Sequence, residues 1–84
     1  MVQRSRMNVE IYGQTYPIIG KATPSYTRQV AGLVDSNMKG IAEGNPRLDM
    51  TRLAVLSAFN IADEYLRLKQ EYDEIMHLIE DNQP

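Results

Sequence analysis

The chain has 84 residues, no cysteine and a formal net charge of −2. This length allows one small domain, which buries only about 60–65% of its unfolded surface and is marginally stable alone. The absence of cysteine excludes disulfides and thiolate metal sites, and it fits a reducing compartment. An interface with a second copy is the remaining source of buried area.

Charge is distributed unevenly along the chain. Residues 1–52 contain seven Lys/Arg against four Asp/Glu, whereas residues 53–84 contain two against seven. The basic part is too sparse for the dense cationic stripe that phosphate binding requires, so we expect no nucleic-acid partner. No segment approaches the about 20 apolar residues of a membrane span or resembles a signal peptide. We therefore expect a cytoplasmic protein without membrane insertion.

The segment VEIYGQTYPI (residues 9–18) has two alternating apolar runs around a glycine. This pattern predicts a β-hairpin with a two-residue turn at Gly13-Gln14, since glycine readily adopts the positive φ of such turns. The resulting register places four apolar side chains on one face: Val9, Ile11, Tyr16 and Ile18. It also places Pro17 opposite Glu10, at a position where the strand ladder needs a backbone N–H that proline lacks. Either that ladder hydrogen bond is absent or the turn is wider than two residues.

A first helix follows the hairpin. Thr23-Pro24 is typical of an N-cap followed by proline at the first helical position. The apolar residues that follow recur at helical spacing: Tyr26, Val30, Leu33, Val34, Met38 and Ile41. They predict a helix from about Pro24 to Ala42. Gly44-Asn45-Pro46 then predicts a left-handed C-cap and the end of the helix.

Asp49 is the N-cap candidate of a second helix, and no glycine or proline follows until Pro84. Such a helix has about 32 residues and extends for about 48 Å, farther than the preceding residues could cover. Two of its heptad positions are apolar and define what we call the seam: Ala54, Ile61, Leu68 and Ile75 at d, and Ala58, Tyr65, Tyr72 and Ile79 at a. The seam predicts a coiled coil that makes the protein a homodimer, with a tetramer as an extension.

A second apolar row comprises Leu53, Leu56, Phe59 and Leu66. We expect this row to pack on the chain's own head. The predicted fold class is α+β, with an N-terminal β-hairpin plus helix packed on a long C-terminal helix that forms an intermolecular coiled coil. Residues 1–48 form the head and residues 49–84 the oligomerisation segment. The alternative, a single chain whose long helix bends back, would need a helix breaker that residues 50–83 lack.

The sequence offers no catalytic, cofactor or metal site. Its one histidine, His77, falls at the exposed f position among acidic helical neighbours, and catalysis or metal binding requires convergent partners. The glycines form no GxGxxG or P-loop motif. Asn60 lies on an apolar segment and needs a hydrogen-bond partner, which we expect on the head or a symmetry mate. We predict a non-enzymatic protein without a cofactor or small-molecule substrate.

Several of these segments together resemble the ZapA family of cell-division proteins. They are VEIYG, the turn at Gly13, the first helix, the basic loop and LAVLSAFNIADEYLRLK. The pattern L-A-x-L-x-A-x-N-I-A-x-E-Y, from Leu53 to Tyr65, carries most of the specificity. The similarity extends from about Val9 to Tyr72.

The resemblance implies a non-enzymatic protein that binds polymerised FtsZ, cross-links protofilaments into bundles and stabilises the ring at midcell. It also implies that head residues contact FtsZ, namely Gln14, Lys39, Arg47 and Arg52. Gln14 departs from the family pattern, because some members have arginine there, whereas Arg47 in the basic loop matches best.

Two other functions stay open at this stage. One is a generic dimeric coiled-coil adaptor that captures an extended peptide at its hairpin edge, although Pro17 would blunt one edge. The other is a small nucleic-acid organiser, which an electrophoretic shift on DNA at ordinary salt would distinguish.

Overall fold

The structure is a computed structural model that describes residues 5–81, with side chains from residue 6. The predicted bounds of the head and of the oligomerisation segment extend to residues 1–4 and 82–84, which lie outside the described residues. The α+β fold class is confirmed. Two strands and two helices follow each other along the chain: β1 (Ser5–Ile11), β2 (Gln14–Gly20), α1 (Pro24–Gly44) and α2 (Met50–Asp81).

The hairpin turn lies one residue earlier than predicted. Its central residues are Tyr12 (φ 50°) and Gly13 (φ 77°), and Ile11 pairs with Gln14. Positive φ at both central residues defines a type I′ turn, whose twist matches that of the flanking strands. Placing the turn at Gly13-Gln14 was wrong, because glycine occupies its second position and Tyr12 adopts the first positive φ.

The corrected register explains Pro17. This proline pairs with Asn8 rather than Glu10. Antiparallel pairs alternate between hydrogen-bonded and non-hydrogen-bonded, and counting from the bonded pair at the turn makes the Asn8–Pro17 pair non-hydrogen-bonded. No ladder bond is therefore lost. The predicted apolar face is kept, since Val9 now lies opposite Tyr16 on that same face.

Helix α1 begins as predicted and ends differently. The Thr23 side chain accepts a hydrogen bond from the Tyr26 N–H at 3.2 Å. The helix continues to Gly44, and its C-cap Asn45 has φ −141°, so the expected left-handed cap was wrong. Instead, the Asn45 N–H donates to the Ala42 carbonyl at 3.2 Å and its side-chain amide donates to the Ile41 carbonyl at 3.3 Å. These two bonds satisfy terminal carbonyls that a left-handed residue would otherwise serve.

The long second helix is confirmed as one uninterrupted element of 32 residues, about 48 Å in length. Asp49 caps it by accepting the Arg52 N–H at 2.8 Å. The alternative of a chain bent back on itself is excluded by this continuity.

The protein is open and thin. It measures 54 × 43 × 15 Å with a radius of gyration of 17.3 Å, whereas a compact domain of this length has about 12 Å. Helix α1 packs against β1 on one side and against α2 on the other. The described residues bury only four apolar side chains: Val9, Ala31, Met38 and Leu53. A single layer this thin leaves most apolar side chains uncovered, although domains normally need two packed layers.

The head contacts α2 through one residue of the predicted apolar row and two polar residues that hydrophobicity did not identify. Leu53 and Ser57 are each only 2% exposed, and Asn60 bonds to α1. The other members of the predicted head-facing row, Leu56, Phe59 and Leu66, are exposed, so that prediction was wrong for three of its four residues. On α1, three residues of the predicted apolar face are likewise exposed: Tyr26, Val30 and Leu33.

Candidate functional site

A carboxylate on α1 holds the hairpin turn in place. Asp35 accepts the Tyr12 N–H at 2.7 Å through Oδ1 and pairs with Lys39 Nζ at 2.9 Å through Oδ2. The hydrogen bond from Lys39 and, after it, the Tyr12 N–H lower the pKa of Asp35. The same bond raises the pKa of Lys39. Asp35 thus connects the turn, and Gln14 next to it, to Lys39.

The four predicted contact residues fall into two groups. Gln14 and Lys39 lie at the hairpin end, joined through the Asp35 contacts. Arg47 lies in the loop between the helices and Arg52 in the first turn of α2. About 8 Å of helix separates Lys39 from the end of α1, and within residues 5–81 no hydrogen bond or ion pair joins the groups. The structure therefore brings the four residues to two neighbouring places rather than to one.

The two groups differ in how their charges are compensated. Lys39 forms an ion pair with Asp35. Arg47 and Arg52 are exposed, and neither forms an ion pair within the described residues. An uncompensated exposed guanidinium remains available to an acidic partner, so the loop end carries the freer positive charge.

One oxygen atom joins the two helices. Asn37 Oδ1 accepts hydrogen bonds from Ser57 Oγ at 3.3 Å and from Asn60 Nδ2 at 3.1 Å. The expectation that Asn60 finds its partner on the head is confirmed. Because Ser57 is buried, its hydroxyl needs this acceptor. The two hydrogen bonds join Asn37 of α1 to α2 and help to fix the packing of the two helices.

The seam begins in an apolar groove between the helices. The groove has a volume of about 430 Å³. Val34 and Met38 of α1 form one wall, and the first half of the seam forms the other: Ala54, Ala58, Ile61 and Tyr65. Beyond it, the seam is 48–65% exposed from Tyr65 to Ile79. A continuous apolar strip thus extends from the groove along α2 with nothing from this chain covering its distal half.

Neither a metal-binding cluster nor a membrane span is found among the described residues. Within residues 5–81, no group of three or more His, Cys, Asp or Glu could hold a metal ion, and His77 is exposed. Neither helix in that range is both long and apolar enough to cross a membrane. Of the possible i, i+4 pairs along α2, the described part forms one, between Asp63 and Arg67 at 2.9 Å.

The Asp35 contacts make a testable prediction about acid stability. Folding lowers the pKa of Asp35 below 3.8, the value of its carboxyl in the unfolded chain. The ionised carboxylate therefore stabilises the fold at pH values above 3.8, and this stabilisation is lost as the pH falls through the lower pKa of the folded state. We expect Asp35→Asn to lower the urea midpoint at pH 7 and to reduce the loss of stability below about pH 4.

Urea unfolding of both proteins at pH 7 and pH 3 would measure this effect. Asp73→Asn is the matched control, since Asp73 is exposed and forms no ion pair among the described residues. Equal pH dependence in the wild type and Asp35→Asn would contradict the role given to Asp35.

The hairpin, the first helix and the long second helix with its exposed seam define a small α+β protein class. A sequence model of the family "Cell division protein ZapA" matches residues 7–83. The chain belongs to the ZapA family.

Two ZapA proteins from Geobacillus agree with this assignment. The chain is 49% identical over 74 residues to the cell division protein ZapA of Geobacillus sp. (strain WCH70), covering 88% of this chain and 85% of that one. It is 51% identical over 72 residues to that of Geobacillus thermodenitrificans (strain NG80-2), covering 86% and 79%.

Two solved structures share the fold. A ZapA mutant dimer from Geobacillus stearothermophilus is similar with a TM-score of 0.74 and 44% identity, covering 93% of this chain and 91% of that one. A structure described as an unknown conserved bacterial protein from Pseudomonas aeruginosa PAO1 has a TM-score of 0.71 at 22% identity, covering 90% of this chain and 85% of that one.

Proposed function

We propose that this protein pairs through its seam into a dimer, binds polymerised FtsZ through its head and cross-links neighbouring protofilaments. In this role it is a non-enzymatic accessory of cell division that acts in the cytoplasm at midcell. The observation that carries the proposal is the apolar seam on one uninterrupted helix, exposed along its distal half. Membership of the ZapA family supports the cell-division role and FtsZ as the partner.

Burial of the exposed apolar side chains of the seam favours association with a second copy. Burying one large aliphatic or aromatic side chain contributes about 1.5–3 kcal/mol. The distal seam exposes five such side chains: Tyr65, Leu68, Tyr72, Ile75 and Ile79. The single chain buries only four apolar residues among those described. Pairing of two seams therefore supplies apolar burial that the single chain lacks, and the similar Geobacillus stearothermophilus protein was solved as a dimer.

Duplication of the head explains cross-linking. A dimer presents two copies of Arg47 and Arg52, whose free charges would attract a polymer of acidic character in a salt-sensitive manner. Weak contacts by each head gain strength when a second head binds the same polymer or its neighbour, because the second event occurs at high effective concentration. Bundling therefore depends on both the head and the seam.

Reversal of one head charge tests the proposed contact. We expect Arg47→Glu to leave the dimer intact and to weaken co-sedimentation with FtsZ polymer about tenfold, equivalent to about 1.4 kcal/mol. The assay is pelleting of GTP-assembled FtsZ, with solution mass measured by light scattering. Arg28→Glu is the control because it makes the same charge change on an exposed position of α1.

Two outcomes would count against this scheme in different ways. Unchanged pelleting of Arg47→Glu would remove Arg47 from the contact. Failure of the wild-type protein to pellet with FtsZ polymer would overturn the proposed function itself.

A further inference from the structure

The hairpin turn contains a backbone conformation that its residue disfavours. Tyr12 has φ 50°, in the left-handed region, where the Cβ of an L-residue crowds the following carbonyl oxygen. Type I′ turns usually place Asn, Asp or Gly at this first central position. Within residues 5–81, no other residue besides glycine has a positive φ. Such a conformation persists only where surrounding contacts hold it, and residues of this kind cluster at functional sites.

Asp35 supplies a contact that holds this turn. Its Oδ1 accepts the Tyr12 N–H at 2.7 Å, and its Oδ2 pairs with Lys39 Nζ at 2.9 Å. Hydrogen bonds to an ionised carboxylate are stronger than those between neutral groups. Asp35 lies on α1, which packs against β1, so the carboxylate ties the turn to a rigid helix. Both contacts are made within one chain, and association with a second copy is not needed to form them.

The charge of Asp35 opposes the attraction that the proposed function uses. A carboxylate in the head repels a polymer of acidic character, and this one also compensates the positive charge of Lys39. Only 23% of the Asp35 side chain is exposed, so most of it is covered by the chain itself. What Asp35 contributes is geometry, because it holds Lys39 and the turn beside the exposed Gln14 in one arrangement.

We propose that Asp35 is a positioning residue for FtsZ binding, which orients the hairpin turn so that Gln14 and Lys39 meet the polymer together. The loop end supplies attraction through the free charges of Arg47 and Arg52, whereas the hairpin end supplies a fixed shape. Asp35 acts through its neighbours rather than by touching the polymer. This inference rests on the proposed function and deepens it, since it gives the two ends of the head different roles.

The first test removes the carboxylate from the full chain. Asp35→Ala makes the head one charge more positive, so attraction alone predicts tighter binding to an acidic polymer. We expect the opposite, an affinity about tenfold lower in pelleting with GTP-assembled FtsZ. Asp35→Asn keeps an oxygen that can accept the Tyr12 N–H, so it should recover most of that loss. Solution mass, measured on the same samples, should equal that of the wild type.

The control destabilises α1 far from the hairpin turn. Thr23→Ala removes the hydroxyl that accepts the Tyr26 N–H at 3.2 Å, and such a cap stabilises its helix. About 18 Å of helix separates Thr23 from Asp35. We expect Thr23→Ala to pellet as the wild type does at a temperature where circular dichroism shows both variants to be folded.

A double-mutant cycle distinguishes positioning from general stabilisation. If Asp35 acts through Gln14, the double variant Asp35→Ala/Gln14→Ala should lose less affinity than the product of the two single losses. Residues that act independently give losses that multiply. The cycle is measured in the same pelleting assay.

The outcomes separate the inference from the function on which it rests. If the wild type does not pellet, both fall. If Arg47→Glu weakens pelleting while Asp35→Ala binds as tightly as the wild type or more tightly, the function stands and the positioning role is wrong. Equal losses in Asp35→Ala and Thr23→Ala, losses that multiply in the cycle, or a lower solution mass for Asp35→Ala would also overturn the inference.

Discussion

Ile75→Glu is expected to abolish assembly and FtsZ bundling while leaving the head folded. Ile75 is a d residue of the seam and is 57% exposed in the single chain. Each dimer would lose two buried isoleucines worth about 1.5–3 kcal/mol each, so dissociation should increase about 100-fold or more. Two carboxylates facing each other across the seam would add desolvation and repulsion. Analytical ultracentrifugation across protein concentrations measures the first effect and light scattering of FtsZ bundles the second.

His77→Glu is the matched control, because it adds a carboxylate two residues away on the outer f position. We expect it to assemble and bundle normally. If Ile75→Glu bundled FtsZ at wild-type levels, cross-linking would not depend on the distal seam. Circular dichroism of the variant at high concentration checks that the head and the helix persist.

Leu53→Ala is expected to destabilise the protein more than any other single truncation on α2. Leu53 is 2% exposed where α2 meets the head. Replacing a buried leucine by alanine typically costs about 2–5 kcal/mol, because the lost transfer energy is accompanied by a cavity. Such a cost is a large fraction of the about 5–15 kcal/mol that stabilises ordinary domains. The small number of apolar side chains buried within residues 6–81, four in all, makes the single chain less stable than such domains.

Urea unfolding at one fixed protein concentration measures the effect, since association makes the midpoint concentration-dependent. Leu56→Ala is the control. It removes the same atoms from an exposed site one turn later, so we expect its free energy of unfolding to change by no more than about 0.5 kcal/mol. Equal losses in the two variants would mean that Leu53 does not hold the head on α2.

Elements that depend on local signals were predictable from the sequence. Thr23 with Pro24 and Asp49 each mark a helix start, because an N-cap acts within its own first turn. The long helix followed from the absence of any breaker after Asp49. The hairpin turn was placed one residue late because glycine fits either central position of the turn. Pro17 indicated the correct register, since a residue without an N–H fits only a position that donates no ladder hydrogen bond.

Contacts between elements were predicted less well. Of the apolar row that hydrophobicity selected for the head-facing side, only Leu53 is buried there. The other contacts use the small Ser57 and the amide of Asn60. The role of Asp35 was also missed. Its i, i+4 spacing with Lys39 was visible, yet the bond to the Tyr12 N–H spans 23 residues, and no local pattern indicates such a contact.

Pro17 limits how copies of this protein can associate, because its backbone nitrogen lies on the outer edge of the hairpin. Because α1 packs against β1, β2 is the strand on the far side of the hairpin, and a proline at its middle removes the amide that an incoming strand would need. Sheet extension from one molecule to the next is thereby discouraged. We therefore expect self-association to use the exposed apolar faces of the helices rather than strand addition.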